Sequence, residues 1–169
     1  MNVFCFFLFA GLASAVLNID ITDDGSNVNV AAAGSLDVGT PGNSFVAGVS
    51  FINGGAGRIF NNPGGMAFVP LQAPSSGPLT WGISPSLAAS SSSGDRVFLD
   101  TNDVLLDLTY VNNSPLSFTQ QYNGQTLASL NLVEDTYVYT ITATGDTINV
   151  CIGPTCGALP PVPPIEPTE

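Results

Sequence analysis

The side chains in this sequence that can do chemistry are thirteen carboxylates, three cysteines and two arginines, Arg58 and Arg96, with neither histidine nor lysine. Without an imidazole, Ser-His-Asp and Cys-His nucleophilic sites cannot be assembled, nor can a zinc site built on histidine. What remains for acid–base work is a pair of carboxylates. Asp95, Asp100, Asp103 and Asp107 lie close together in sequence around a strand entrance, where two of them could act as the acid and base of a glycosidase. Nothing in the flanking sequence raises a carboxyl pKa or outlines a sugar cleft, so the chain is read as a non-enzyme. The same acids, or Asp20, Asp23 and Asp24, could ligate Ca2+ through carboxylate and carbonyl oxygens. Neither set has EF-hand spacing, and solvated turn acids are the commoner use. No cofactor is implied, and Ca2+ is the one ion these acids leave open.

Aromatic side chains offer a second kind of chemistry. Tyr137 and Tyr139 have the same parity on one expected strand and therefore share a face, which makes them candidates for stacking on sugar rings. Cross-strand packing is the commoner use of such a pair. Trp81, the only tryptophan, reads as a core plug rather than an exposed ligand platform. Asn112, Asn113 and Ser114 match the N-glycosylation pattern, though Pro115 follows directly. Cys151 and Cys156 flank a loop with a Gly153-Pro154 turn, so their sulfurs can meet in a small disulfide that an oxidising compartment preserves. A zinc site would need further ligands that the chain lacks.

The elements that must carry these groups read as short strands. Leu17, Ile19 and Ile21 alternate with polar residues, and the alternation resumes at Val28 and Val30 after a Gly-containing turn, which predicts a hairpin. A third short strand is expected at residues 35–38. Residues 45–52 are apolar on both parities and predict a strand buried on both faces. From 53 to 94 the texture is Gly, Pro, Ser and Asn, with short strands or anchors at 58–60, 67–71 and 79–83 and a flexible serine loop at 90–93. Strands are predicted again at 96–99, 104–110 and 116–122, then as a hairpin at 136–143 and 147–152 turning on Gly145 and Asp146. Leu127, Leu130 and either Leu132 or Val133 facing one way predict one helical turn or a tight crossover. So many short strands and Gly or Pro turns imply an all-β domain, an antiparallel β-sandwich or jelly-roll with at most one short helix.

A composition 44% hydrophobic and only 9% charged is too apolar for a disordered chain. The net charge of −11 would repel a phosphate backbone, which excludes nucleic acid and anionic membrane surfaces as partners. Residues 1–15 combine an apolar run from Phe4 to Leu12 with small residues at Ala13 and Ala15, the order of parts in a secretory signal cleaved after Ala15. Cys5 would leave with the signal, so that an even cysteine pair remains. Residues 16–153 then form the β-domain. Residues 154–169 form a proline-rich tail, which cannot donate to a sheet ladder and is expected to be extended.

The runs Tyr110-Val111-Asn112-Asn113-Ser114-Pro115-Leu116-Ser117, Tyr122-Asn123-Gly124-Gln125-Thr126-Leu127-Ala128-Ser129-Leu130-Asn131-Leu132 and Thr136-Tyr137-Val138-Tyr139 carry a resemblance, joined by Gly145-Asp146-Thr147-Ile148. Together they resemble the region before the anchor in bacterial PEP-CTERM-type exported proteins. The opening from Leu17 to Gly34-Ser35-Leu36 is similar to that family as well. Asn131 stands where the family usually has Gly, and Glu134 with Asp135 stand where it has Pro-Gly. The family's C-terminal sorting signal is not found after Pro163, Pro164, Ile165, Glu166 and Pro167. The resemblance implies export to the cell surface or the polysaccharide matrix, and without that signal free secretion is expected. It brings no catalytic residues. The sequence therefore predicts a secreted, non-enzymatic structural or matrix-interaction protein whose partners are extracellular polysaccharide or other surface proteins. The alternatives are a carbohydrate-binding module, calcium-assisted or not, and then a carboxylate-based glycosidase.

Overall fold

The computed structural model describes residues 14–43, 48–65 and 70–156. The apolar part of the expected signal, residues 1–13, and most of the proline-rich tail, residues 157–169, lie outside the described residues. The first hairpin is β1 (Val16–Asp23) and β2 (Asn27–Gly34), closed by an Asx-type turn in which the Asp23 and Asp24 carboxylates accept the N–H groups of Gly25, Ser26 and Asn27. Short strands follow at β3 (Gly42–Asn43), β4 (Phe51–Asn53), β5 (Arg58–Asn61), β6 (Pro70–Ser76), β7 (Leu87–Ala88) and β8 (Ser91–Gly94). The remaining strands are β9 (Val97–Leu99), β10 (Asp103–Asp107), β11 (Leu116–Asn123), β12 (Asp135–Ile141) and β13 (Thr147–Ile152). The one helical piece among the described residues is a 3-10 turn at Gly54–Ala56.

These strands form one hydrogen-bonded sheet that folds over on itself, in the order β7, β4, β5, β9, β10, β6, β12, β13, β1, β2, β11, β8, with β3 also on β6. The fold line is β6. Its first residues, Pro70 to Pro74, pair with β10, and its last two, Ser75 and Ser76, pair with β12. One strand thus belongs to both leaves of the sandwich. The two ends of the path are adjacent in sequence, because the chain passes from β7 directly into β8.

A buried polar seam holds those ends together. Gln120 of β11 donates through Nε2 to the Phe60 carbonyl (2.7 Å) and to Asn61 Oδ1 (3.2 Å), and its Oε1 accepts the Tyr122 hydroxyl (2.5 Å). Asn61 Nδ2 in turn donates to the carbonyls of Ser93 (3.1 Å) and Asp95 (2.7 Å), and the Ser50 hydroxyl donates to that of Ser92 (2.8 Å). Between the leaves lies the core. Leu17, Ile19, Ile21, Val28, Val30, Phe118, Ile148 and Val150 come from one leaf, and Ile52, Ile59, Val97, Leu99, Val104 and Leu106 from the other. Period-two burial along β1, β2, β11 and β13 follows from the strand geometry. Of the 45–52 stretch, read as one strand buried on both faces, residues 45–47 lie outside the described residues, only Phe51 and Ile52 belong to a strand, and Val49 is 58% exposed. Ile52 points into the core, while Phe51 meets Phe60 and Phe98 edge-on across the outer face, with centroids 5.7 and 6.2 Å away.

The all-β sandwich agrees with the sequence reading, and three details differ. Among the described residues every strand pairing is antiparallel except β1 with β13, which run parallel in register Val16 with Thr147. Residues 35–38 are a buried loop instead of a strand, because the N–H and carbonyl of Leu36 bond to the Tyr110 hydroxyl and not to a ladder. Ser91–Gly94 is an edge strand on β11, not a flexible loop. The Leu127 to Leu132 segment is the expected tight crossover, built of turns: Leu130 N–H reaches the Thr126 carbonyl and Leu132 N–H that of Leu127, each at 3.0 Å, with all three leucines buried. Its exit at Asn131 has φ 47°, a left-handed conformation that Gly adopts freely and Asn more readily than other side chains.

Candidate functional site

The β9–β10 hairpin separates the four clustered aspartates into two pairs. Val104 faces Leu99 and Leu106 faces Val97, so Asp100 and Asp103 fall at the turn and Asp95 and Asp107 at the open end. At the turn, Asp100 Oδ1 accepts Arg58 Nε (2.8 Å) and the Thr101 N–H (2.6 Å). At the open end, Arg96 Nη1 donates to Asp107 Oδ2 (3.2 Å), while Asp107 Oδ1 accepts the N–H (3.0 Å) and hydroxyl (2.8 Å) of Thr109. Asp95 Oδ2 accepts the Ser117 N–H (2.7 Å). Asp95, Arg96, Asp107 and Thr109 line two adjoining open hollows of about 200 and 330 Å3, flanked by Tyr110 on one side and Pro63 on the other.

The chemistry of this cleft is that of a charged clamp. The Thr109 N–H, with smaller contributions from its hydroxyl and from Arg96, holds Asp107 below the usual carboxylate range. A group held ionised in this way can accept hydrogen bonds or neutralise a cation. It is the opposite of a carboxyl poised to give up a proton, which glycosidases obtain by raising the pKa. The second acidic cluster is also engaged by its own loop. Asp24 is lowered chiefly by the Ser26 and Asn27 N–H groups, and Asp23 Oδ2 reaches across to the Leu127 N–H (2.8 Å). Among the described residues, no group of three or more acidic or cysteine side chains is placed to hold a metal ion.

Tyr137 and Tyr139 do share a face, but it is the inner one. Tyr139 is 0% exposed, and its hydroxyl accepts Trp81 Nε1–H at 2.7 Å and lies 3.1 and 3.2 Å from the carbonyls of Gly57 and Pro78. Its ring cannot stack on a sugar, which corrects the expectation for that residue. Burial raises its pKa strongly. Tyr137 is half-buried against Trp81, with ring centroids 6.3 Å apart, and its hydroxyl donates to the Val133 carbonyl (3.1 Å). Trp81 is the expected core plug. Gly77 passes directly beside the Tyr139 ring, where an added Cβ would run into Cδ1, so only glycine lets the strap of residues 77–83, which carries Trp81, close over it.

Outside the strap is a surface that the sequence reading did not single out. Gly82, Ile83, Ala128, Asn131, Leu132 and Val133 line an open apolar groove of about 530 Å3, with Ile83 81% and Val133 56% exposed. It forms because Gly82 bridges to Leu132 and the Val133 N–H reaches the Trp81 carbonyl (2.7 Å). The only sequence signal for it was the apolar run 79–83, in which Trp81 turns inward and leaves its neighbours outside.

Cys151 and Cys156 are disulfide-bonded with Cα atoms 5.6 Å apart, fastening the end of β13 to the turn after it. No helix among the described residues is long and apolar enough to cross a membrane, which says nothing of strands. No family model, curated protein or solved structure matches the chain.

Proposed function

We propose that this chain is an exported, non-catalytic β-sandwich that serves as a structural or interaction module of the cell surface or the extracellular matrix. One observation carries the reading. Five of the seven acids that could have formed a reactive site are engaged in holding the scaffold: Asp23 and Asp24 cap the β1–β2 turn, Asp100 and Asp107 bind the two arginines, and Asp95 anchors the start of β11. The disulfide fits an oxidising compartment, and the resemblance to PEP-CTERM-type exported proteins points to the same destination.

The test is to add the purified exported protein to surface and matrix material of a producing culture and to a panel of polysaccharides. Saturable retention by the matrix fraction, with no release of reducing sugar, is the expected result. Sugar release abolished by Asp95→Asn or Asp107→Asn would replace this reading with a glycosidase. A second reading, carbohydrate binding with or without Ca2+, is favoured by the convergence of Asp95, Arg96 and Asp107 on an open polar hollow. A glycan array run with and without EDTA tests it, and silence under both conditions removes it.

A further inference from the structure

Asp146 sits in the turn between β12 and β13 and is 5% exposed. Its Oδ2 accepts the Asp37 N–H (2.5 Å), and its Oδ1 accepts the Ala15 N–H (3.0 Å) and the Ser14 hydroxyl (3.1 Å). A buried carboxylate needs donors or a counter-charge, because desolvation without them costs several kcal/mol. The chain has only two basic side chains, and these lie beside Asp100 and Asp107. The remaining positive charge an exported chain can bring to Asp146 is its own α-ammonium.

Where the leader is cut decides whether that charge arrives. Ala15 turns both its N–H and its carbonyl toward β13, since the carbonyl accepts the Thr147 N–H (3.2 Å). Val16 faces the other way, its carbonyl taking the Ser35 N–H (3.2 Å) at the end of β2. An amine created at Val16 would therefore point away from Asp146, and both Oδ1 donors would have been discarded. An amine created at Ser14 lies two carbons from a hydroxyl already on Oδ1 and keeps every bond made by Ala15. Gly11 and Ala13 are as small at the minus-three and minus-one positions as Ala13 and Ala15 are.

We propose, resting on the export reading above, that the leader is removed after Ala13 and that the new Ser14 α-ammonium pairs with buried Asp146 to lock the start of β1 against β13. The cut therefore falls two residues before the one that the sequence pattern alone selects.

The experiment expresses the full chain in an exporting host and reads the N-terminus of the released protein by mass spectrometry, alongside an Ala15→Phe variant that bars cleavage after residue 15. Ser14 at the terminus of both proteins is the expected result. Val16 at the terminus, or an uncut Ala15→Phe chain, overturns the proposal and leaves the export reading standing. An intact Met1 overturns both. Pairing with Asp146 is read separately. The chain has no lysine, so an amine-reactive ester labels only the α-amine. Labelling of the exported protein near neutral pH should be slower than that of its Asp146→Asn variant by about five- to tenfold, because a paired carboxylate holds the amine in its unreactive protonated form. Equal rates overturn the pairing.

Discussion

Replacing Tyr139 with Phe removes a single oxygen from the most enclosed aromatic contact in the molecule and keeps the ring. By hydrophobicity alone the change should be neutral or mildly stabilising. The geometry gives the opposite sign. Trp81 Nε1–H has the Tyr139 oxygen as its acceptor at 2.7 Å, both residues are fully buried, and the Gly57 and Pro78 carbonyls are within reach of the same hydroxyl. Leaving the indole N–H unpaired costs about 1–3 kcal/mol, and loss of the hydroxyl's own donation to a buried carbonyl adds about 1 kcal/mol. A total of about 2–4 kcal/mol in a domain of this size lowers the melting midpoint by roughly 5–15 °C. Trp81 is the only tryptophan, so its emission reports the transition directly in thermal and urea unfolding. Tyr137→Phe is the internal control, since that hydroxyl donates from an exposed position to Val133 and its loss should stay within about 0.5 kcal/mol. A Tyr139→Phe protein that melts within a degree of the parent would refute the assignment of this hydroxyl as a buried junction.

Further expectations follow from the same contacts. Gln120→Leu leaves the Tyr122 hydroxyl without its acceptor and removes the seam bonds to the Phe60 carbonyl and Asn61 Oδ1, and should cost about 2–4 kcal/mol in urea unfolding, despite the more apolar side chain. Reduction of the Cys151–Cys156 bond, or Cys156→Ala, should lower stability by about 2 kcal/mol, the chain-entropy value for so short a loop, with little change in the far-UV spectrum. In acid, Asp24 and Asp107 have folded pKa values below the ordinary 3.8, so their contribution is complete above that value and is lost as pH falls through the lower folded value. Carboxyl NMR titration should place both midpoints below 3.8, and a midpoint above it at either residue would contradict the turn geometry. In alkali the sign is set by a raised value. Burial keeps Tyr122 and Tyr139 protonated beyond the ordinary 10, so their contribution is present below that pH and is lost as pH rises toward their folded values. Phenolate absorbance should show these two tyrosines ionising only together with unfolding.

The hairpins were legible because their burial is local. In β1, β2 and β13 each buried residue is apolar and most outward ones are Asn, Asp or Thr, Val16, Ala31, Ala33 and Cys151 aside, so two-residue periodicity identifies strand and face. What was hidden depends on partners distant in sequence. Ser91–Gly94 has no apolar side chain to betray it and is a strand only because β11 offers an open edge. The parallel pairing of β1 with β13 leaves no trace in either segment. Leu36 and Val38 alternate as a strand would, yet their N–H groups are satisfied by Tyr110 and Asn112 side chains.

The candidate sites show the same division. Parity correctly put Tyr137 and Tyr139 on one face but could not say which, and the decision rests with Trp81, more than fifty residues earlier in the chain. The four aspartates are near neighbours in sequence, but the antiparallel turn between Asp100 and Asp103 brings Asp95 and Asp107 together at the open end, the length of the hairpin away from the other pair. Asp146 is the sharpest case. Beside Gly145 it reads as an ordinary turn residue, and nothing nearby in sequence explains its burial. Its donors come from Ala15, Ser14 and Asp37, all more than a hundred residues away, and two of them sit at the junction where the expected leader meets the folded domain. A short consensus of small residues fits a cut at either Ala13 or Ala15. Only the folded structure distinguishes them, because a cut after Ala13 keeps the Ser14 and Ala15 donors on buried Asp146, whereas a cut after Ala15 removes both and leaves the Asp37 N–H.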